Sequence, residues 1–162
     1  MMELKVKLSD GAPLPAHAKP GDAGMDLTAR EDVTLRPGET KMVGTGVAIE
    51  LPEGYVGLVF PRSGLGSKGV NLSNCVGVID SGYRGEIKAP LHNNRPVVDW
   101  DAPYDAWYDV RLADKSSSMT VERGERICQL VVVPFATCEC VEGELSETER
   151  GEGGFGSTGR GA

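Results

Sequence analysis

The chain is expected to fold as one all-β domain, and three observations carry that expectation. Its 22 Gly and 10 Pro fall between short apolar stretches and interrupt every helical period. The apolar stretches are themselves strand-like, either alternating with polar residues or running unbroken for about four to eight residues. A length of 162 residues, 40% hydrophobic and 25% charged, suffices for one core and not for two. Short strands at this spacing belong to a β-sandwich, a jelly roll or a barrel.

From the N-terminus, Leu4, Val6 and Leu8 alternate with Glu3, Lys5 and Lys7, the pattern of a half-buried strand. Pro13, Pro15 and Pro20 make Ser9 to Gly21 a loop. Asp26 then interrupts the small and apolar run from Ala23 to Ala29. An acid there is either the neighbour of a turn or a functional carboxylate, and the residues leave both readings open. Val33 to Leu35, a turn at Arg36-Pro37-Gly38, and Lys41 to Leu51 read as strand, turn, strand. Pro52-Glu53-Gly54 turns the chain into a strand from Tyr55 to Phe60, and Ser63 to Ser67 offers about one turn of helix.

Val76 to Ile79 ends abruptly at Asp80-Ser81-Gly82, and a second run resumes at Tyr83 and continues from Glu86 to Asn94. That is the signal of a β-hairpin. By itself it makes Asp80 a turn residue that caps its own backbone. Residues 99–119 hold both Trp, Tyr104, Tyr108 and a scatter of acids, and read as an insertion between two strands. Its aromatics either pack on the protein's own surface or form a partner-binding arm. Arg126 to Pro134 is a strong buried strand carrying a polar Gln129, which must find backbone or ligand partners. Beyond Glu142 the chain turns acidic and then glycine-rich, too poor in apolar surface to order itself. Phe155 among glycines, with Arg150 ahead and Ser157-Thr158 behind, reads as a flexible flap whose aromatic covers a base while its donors meet phosphate.

Charge and composition narrow the function. With 17 Lys and Arg against 24 Asp and Glu the net charge is −7, which leaves no broad cationic face for a nucleic acid. No apolar run reaches the length of a membrane span and no signal-peptide core opens the chain, so a cytoplasmic protein is expected. Cys75, Cys128, Cys138 and Cys140 show no zinc spacing and read as reduced, mostly buried thiols. Gly64 to Gly69 and Gly154 to Gly159 both match GxGxxG, yet neither has the strand before and helix after that a dinucleotide fold requires. Lys68 precedes Gly rather than Ser or Thr, which excludes a Walker A loop. Arg62, Ser63 and Gly64 bring a guanidinium, a hydroxyl and a freed backbone to a strand-to-loop junction, which suits a local anion site or is simply a surface Arg in a turn; the residues leave both readings open.

Five stretches stand in a fixed order: Ala23-Gly-Met-Asp-Leu27, Pro61-Arg-Ser-Gly64, Gly77-Val-Ile-Asp-Ser-Gly-Tyr-Arg-Gly-Glu86, Gly124-Glu-Arg-Ile-Cys-Gln-Leu130 and Arg150-Gly-Glu-Gly-Gly-Phe-Gly-Ser-Thr-Gly159. On these motifs the chain resembles the trimeric dUTP pyrophosphatases (dUTPases), over nearly all its length apart from 99–119. The resemblance implies a jelly-roll-like distorted β-barrel with little helix, spanning 1–148, and a C-terminal arm, 149–162, that closes a neighbouring subunit's active site. It implies a homotrimer that hydrolyses dUTP to dUMP and pyrophosphate with Mg²⁺.

The same resemblance implies roles residue by residue. Asp80 would orient and deprotonate the attacking water, a task for a fixed carboxylate. Tyr83 would lie against the deoxyribose and exclude a 2′-hydroxyl. Asn74, with the backbone of Gly77, Val78 and Ile79, would read uracil. Arg62, Ser63, Gly64 and Gln129 would hold the α- and β-phosphates, and Arg150, Gly156, Ser157 and Thr158 would close on the γ-end, with Phe155 stacked over the base. Asp26 would order water around a metal held mainly by the triphosphate. Cys128 stands where the family usually has Ala, and Met25 fills a variable slot. The 99–119 insertion falls outside the pattern; in phage-type members such segments can contact regulatory proteins. Two rival readings are a dCTP deaminase of similar fold and a nucleotide-gated binding protein acting through the insertion.

Overall fold

The computed structural model describes residues 2–9, 11–95 and 118–153. Its strands are β1 (Lys5–Leu8), β2 (Met25–Thr28), β3 (Val33–Leu35), β4 (Thr40–Gly44), β5 (Val47–Glu50), β6 (Tyr55–Pro61), β7 (Val70–Leu72), β8 (Gly77–Ile79), β9 (Lys88–Asn93), β10 (Met119–Val121) and β11 (Arg126–Pro134), with one helical turn, α1 (Ser63–Gly66), after β6. They form a four-stranded sheet in the order β2-β11-β6-β8, a three-stranded sheet β4-β9-β7, and two pairs, β1-β5 and β10-β3. Every pairing is antiparallel. Among the described residues no two strands consecutive in the chain are partners, so each connection crosses from one sheet to another. The result is an all-β jelly roll, as the residues led one to expect.

The core lies between the sheets. Leu27, Val59, Cys128 and Leu130 from the four-stranded sheet meet Leu35, Val43, Val47, Ile49, Leu72, Ala89 and Leu91 from the others, all nearly inaccessible to solvent. Burial of this kind contributes about 1.5–3 kcal/mol per large aliphatic side chain, the main favourable term in folding. β11 is the central strand: it pairs with β6 over seven residues, from Cys128↔Pro61 to Pro134↔Tyr55, and with β2 on its other side.

Four expectations are corrected. Lys41 to Leu51 is two strands in different sheets, because Gly46 adopts φ 72 and Thr45 buries its hydroxyl, which donates to Ile87 O at 2.7 Å. The stretch around Asp80 is not a hairpin. β8 pairs with β6, whereas β9 pairs with β4 and β7, so residues 80–87 bridge two sheets. Met119, placed by the sequence in the insertion, opens β10 and pairs with Leu35; the remainder of that segment through 117 lies outside the described residues. Of the cysteines only Cys128 is buried, while Cys75, Cys138 and Cys140 are exposed. Strand β11 stops at Pro134, so the last two cysteines sit on irregular chain.

Candidate active site

The predicted residues fall into two groups, one beyond the end of β6 and one around β8, the edge strand beside it. At the end of β6, Arg62 directs Nε to Asp26 Oδ1 at 2.9 Å. Asp26 lies on β2, held between Gln129 of β11 and a bridge in which its own N–H donates to Ala16 O at 3.0 Å. The Gln129 side-chain amide donates to Pro61 O at 3.2 Å. Gln129, Asp26, Arg62, Ser63 and Gly64 therefore converge because three neighbouring strands end together. Ser63 and Gly64 open α1, where backbone N–H groups have no partner within the helix. Arg62 gives the Asp26 contact through Nε, and among the described residues its terminal nitrogens have no partner, which leaves them available to an anion.

Gly24 sets the fit behind this cluster. A Cβ placed there would stand 2.6 Å from Gln129 Oε1, so the amide rests on bare glycine backbone. Beneath, burial pushes the Cys128 thiol up to about 12, with the Asp26 carboxylate adding to the effect and Arg62 opposing it. Cys128 is thus a neutral filler under the cluster, not a nucleophile.

The second group surrounds β8. Asp80 is exposed at the end of this strand, and its carboxylate receives no hydrogen bond or ion pair from the described residues. The turn after it is closed by hydrogen bonds: Tyr83 N–H donates to Asp80 O at 3.0 Å, and Arg84 Nη1 donates to Ser81 O at 2.6 Å and Tyr83 O at 2.9 Å. Tyr83 in turn donates its hydroxyl to Glu86 O at 3.0 Å, packed over Gly85, and its ring is 44% exposed. β8 is the edge of its sheet, so one side of the Gly77, Val78 and Ile79 backbone is unpaired within the sheet. Asn74 extends over Gly77, its Nδ2 3.6 Å from where a Cβ would stand.

Cys75, beside Asn74, has φ 60, and Val76 N–H donates to Asn74 O at 2.6 Å. This is a γ-turn of the strained, positive-φ kind. The sequence carried no signal for it, since neither Gly nor Asn occupies its centre. Sequence reasoning also assigned nothing to Gly24 or Arg126; the latter contacts Asp26 Oδ2 at 3.1 Å.

Within one chain Asp80 and Arg62 stay apart. Ile79 pairs with Gly57 near the start of β6, while Arg62 follows its end. Five strand steps separate them, about 16 Å at the usual rise. The arm is equally detached. After Phe135 N–H, which donates to Gly54 O at 2.9 Å, the chain to 153 has no strand or helix, and Val141 and Leu145 are 81% and 95% exposed. Arg150 is exposed and donates from Nε to Gly153 O at 2.9 Å. Phe155, Gly156, Ser157 and Thr158 lie outside the described residues.

The profile of the dUTPase family matches residues 10–98 and 100–159. The chain belongs to the dUTPase family. It is 46% identical over 155 residues to the deoxyuridine 5′-triphosphate nucleotidohydrolase of Thermobifida fusca, covering 94% of this chain and 76% of that one. It is 46% identical over 162 residues to the enzyme of that name from a Hydrogenobaculum species, covering 98% and 99%. Among solved structures it is similar to a mutant dUTPase of Staphylococcus bacteriophage 80alpha bound to dUpNHpp, with a TM-score of 0.82, 36% identity, and coverage of 99% of this chain and 100% of that one. A mutant dUTPase from phage phi11 of S. aureus, with a structural Mg(II) ion, matches at a TM-score of 0.76 and 30% identity, covering 91% and 100%. The dUTPase match leaves the deaminase reading without support. No helix among the described residues is long and apolar enough to cross a membrane.

Proposed function

We propose that this chain hydrolyses dUTP to dUMP and pyrophosphate at sites shared between copies of itself in a homotrimer. The observation that carries the sharing is the separation of its half-sites: Asp80 and Arg62 sit about 16 Å or more apart along β6. A substrate whose α-phosphate meets both must draw them from different chains. The exposed Val141 and Leu145, on the irregular chain that leads to the arm, support the same assembly, with residues 149–162 closing a neighbour's site.

In this reading uracil lies against the edge backbone of Gly77, Val78 and Ile79 and the Asn74 amide. The deoxyribose rests on Tyr83, where a 2′-hydroxyl has no room. Arg62, Ser63, Gly64 and Gln129 grip the α- and β-phosphates with a guanidinium, a hydroxyl, amide N–H groups and a carboxamide. Arg150, Gly156, Ser157 and Thr158 enclose the γ-end and Phe155 covers the base. Asp80 orients a water in line with the leaving pyrophosphate and takes its proton; as oxygen attacks phosphorus, the bond to the bridging oxygen breaks. The hydrogen-bonded turn fixes the backbone that carries Asp80, and among the described residues both carboxylate oxygens are without a partner and open to a water.

Magnesium fits the residues present without a protein cage. Among the described residues no group of three His, Cys, Asp or Glu is placed to hold a metal. Mg²⁺ held by triphosphate oxygens and water is compatible with that, and each Asp26 oxygen keeps a lone pair for a metal-bound water. When bound it neutralises charge on the triphosphate. The segment 99–118, ahead of β10, would serve a protein partner; phage dUTPases of similar structure are said to control transfer of virulence genes.

The test is a product assay on dUTP, dCTP, dTTP and UTP, with Asp80→Asn in parallel. Pyrophosphate is expected from dUTP alone, and the variant should bind dUTP while losing about 10²–10⁴-fold in kcat. Equal turnover of UTP would sink the role of Tyr83, and full activity in Asp80→Asn that of the base.

A further inference from the structure

Arg126 is placed by an irregularity in β11. Opposite β2, Gln129 pairs with Asp26, Cys128 with Leu27, and then Arg126 with Thr28, the register slipping by one residue between Arg126 and Cys128. Side chains alternate across a strand, so without the slip Arg126 would point away from the face that carries Gln129 and Asp26. The extra residue, Ile127, turns into the core instead, 1% exposed. The bulge thereby rotates Arg126 onto the Asp26 face, re-aiming one side chain as bulges do. Its Nη1 donates to Asp26 Oδ2 at 3.1 Å while Arg62 Nε occupies Oδ1 at 2.9 Å.

The two arginines differ in exposure. The side chains of Asp26 and Arg62 are 17% and 27% exposed, while that of Arg126 is 52% exposed on the outer side. An aspartate held by one guanidinium can rotate about χ1 and χ2. Held by two, on opposite oxygens, it has one orientation, and that orientation fixes the plane of the Arg62 fork. We propose that Arg126 is a positioning residue for triphosphate binding, acting through Asp26 to hold the Arg62 guanidinium in the plane its terminal nitrogens need to meet phosphate oxygens. This rests on the reading of Arg62 as a phosphate ligand. The bulge is then part of the phosphate site although no residue in it touches substrate.

The experiment is a double-mutant cycle on Arg126→Ala and Arg62→Ala, with binding of the non-hydrolysable dUTP analogue dUpNHpp and of deoxyuridine measured for each variant. Arg126→Ala should weaken the analogue about tenfold, as loss of one charge-assisted hydrogen bond does, and leave deoxyuridine binding unchanged. It should raise KM more than it lowers kcat. In the double variant the two losses should be less than additive, because the second arginine acts through the first. Arg126→Lys, which keeps the charge and folds with less disturbance, should recover most of the affinity. Equal loss for deoxyuridine and dUpNHpp would mean a general structural role, and strict additivity a direct contact; either overturns the proposal. If Arg62→Ala alone leaves dUpNHpp binding intact, the underlying reading of Arg62 fails. If Arg62→Ala weakens it and Arg126→Ala does not, only the positioning role fails.

Discussion

Gly24 and Cys128 show how single residues set this site from behind. Gly24 has no steric room for a side chain, since a Cβ would press within 2.6 Å of Gln129 Oε1. Gly24→Ala should therefore swing the Gln129 amide off Pro61 O and raise KM for dUTP about tenfold, matching Gln129→Ala, with little change in thermal midpoint. An unchanged KM would show that Gln129 is held by something other than this contact. Cys128 makes a pH prediction. Its folded pKa, about 12, is raised above the ordinary value of 9.0, chiefly by burial. A raised pKa means that the folded state keeps the proton longer than the unfolded chain, so the thiol's contribution to stability is intact below pH 9 and is lost progressively between pH 9 and about 12. Cys128→Ala should flatten that alkaline decline, measured as chemical unfolding against pH and compared with the parent. Parallel slopes for the two proteins would remove Cys128 as the cause.

At the scale of elements, strand identity was mostly legible and strand partnership was not. β3, β6 and β11 are where alternation and apolar runs put them, because half-buried and buried strands write their burial directly into the sequence. β7 and β10 were missed: each is three residues long, and unlike β3 neither stands beside a Pro-Gly turn that marks its end. The break at Gly44-Thr45-Gly46 carries two glycines, but nothing local says that it sends β4 and β5 to different sheets. Gly46→Ala should cost about 1–3 kcal/mol, as a side chain at φ 72 is strained and its Cβ would lie 2.6 Å from Ala12 Cβ. Gly54→Ala makes the control: φ 80 with nothing within 4 Å should bring the smaller, purely conformational cost of about 1 kcal/mol. Comparable unfolding free energies for the two variants would show that the crowding against Ala12 is relieved cheaply.

For the whole molecule the decisive test is complementation. Chains carrying Arg62→Ala and chains carrying Asp80→Asn should each assemble into inactive homotrimers. Co-expressed, they should regain activity, since on random mixing about a quarter of sites draw both intact residues from their separate donors. Persistent inactivity in verified mixed trimers would place Arg62 and Asp80 in the same chain's site, against the distance along β6. Among the described residues the Asp80 carboxylate is exposed and without a partner and Val141 and Leu145 are uncovered, as the proposed sharing of sites expects of a single chain.

By itself the sequence determined that the protein is all-β, that residues 62–64 are candidates for an anion site, and that five ordered motifs resemble those of the dUTPases. These are properties of residue type and spacing, and they survive without coordinates. Only the tertiary structure decided that Asp80 ends an edge strand instead of turning a hairpin, that Asp26 is gripped by two arginines, and that a bulge turns Arg126 toward it. Each depends on which strand lies beside which and in what register. A jelly roll pairs strands that are far apart in the chain, where no local pattern reaches.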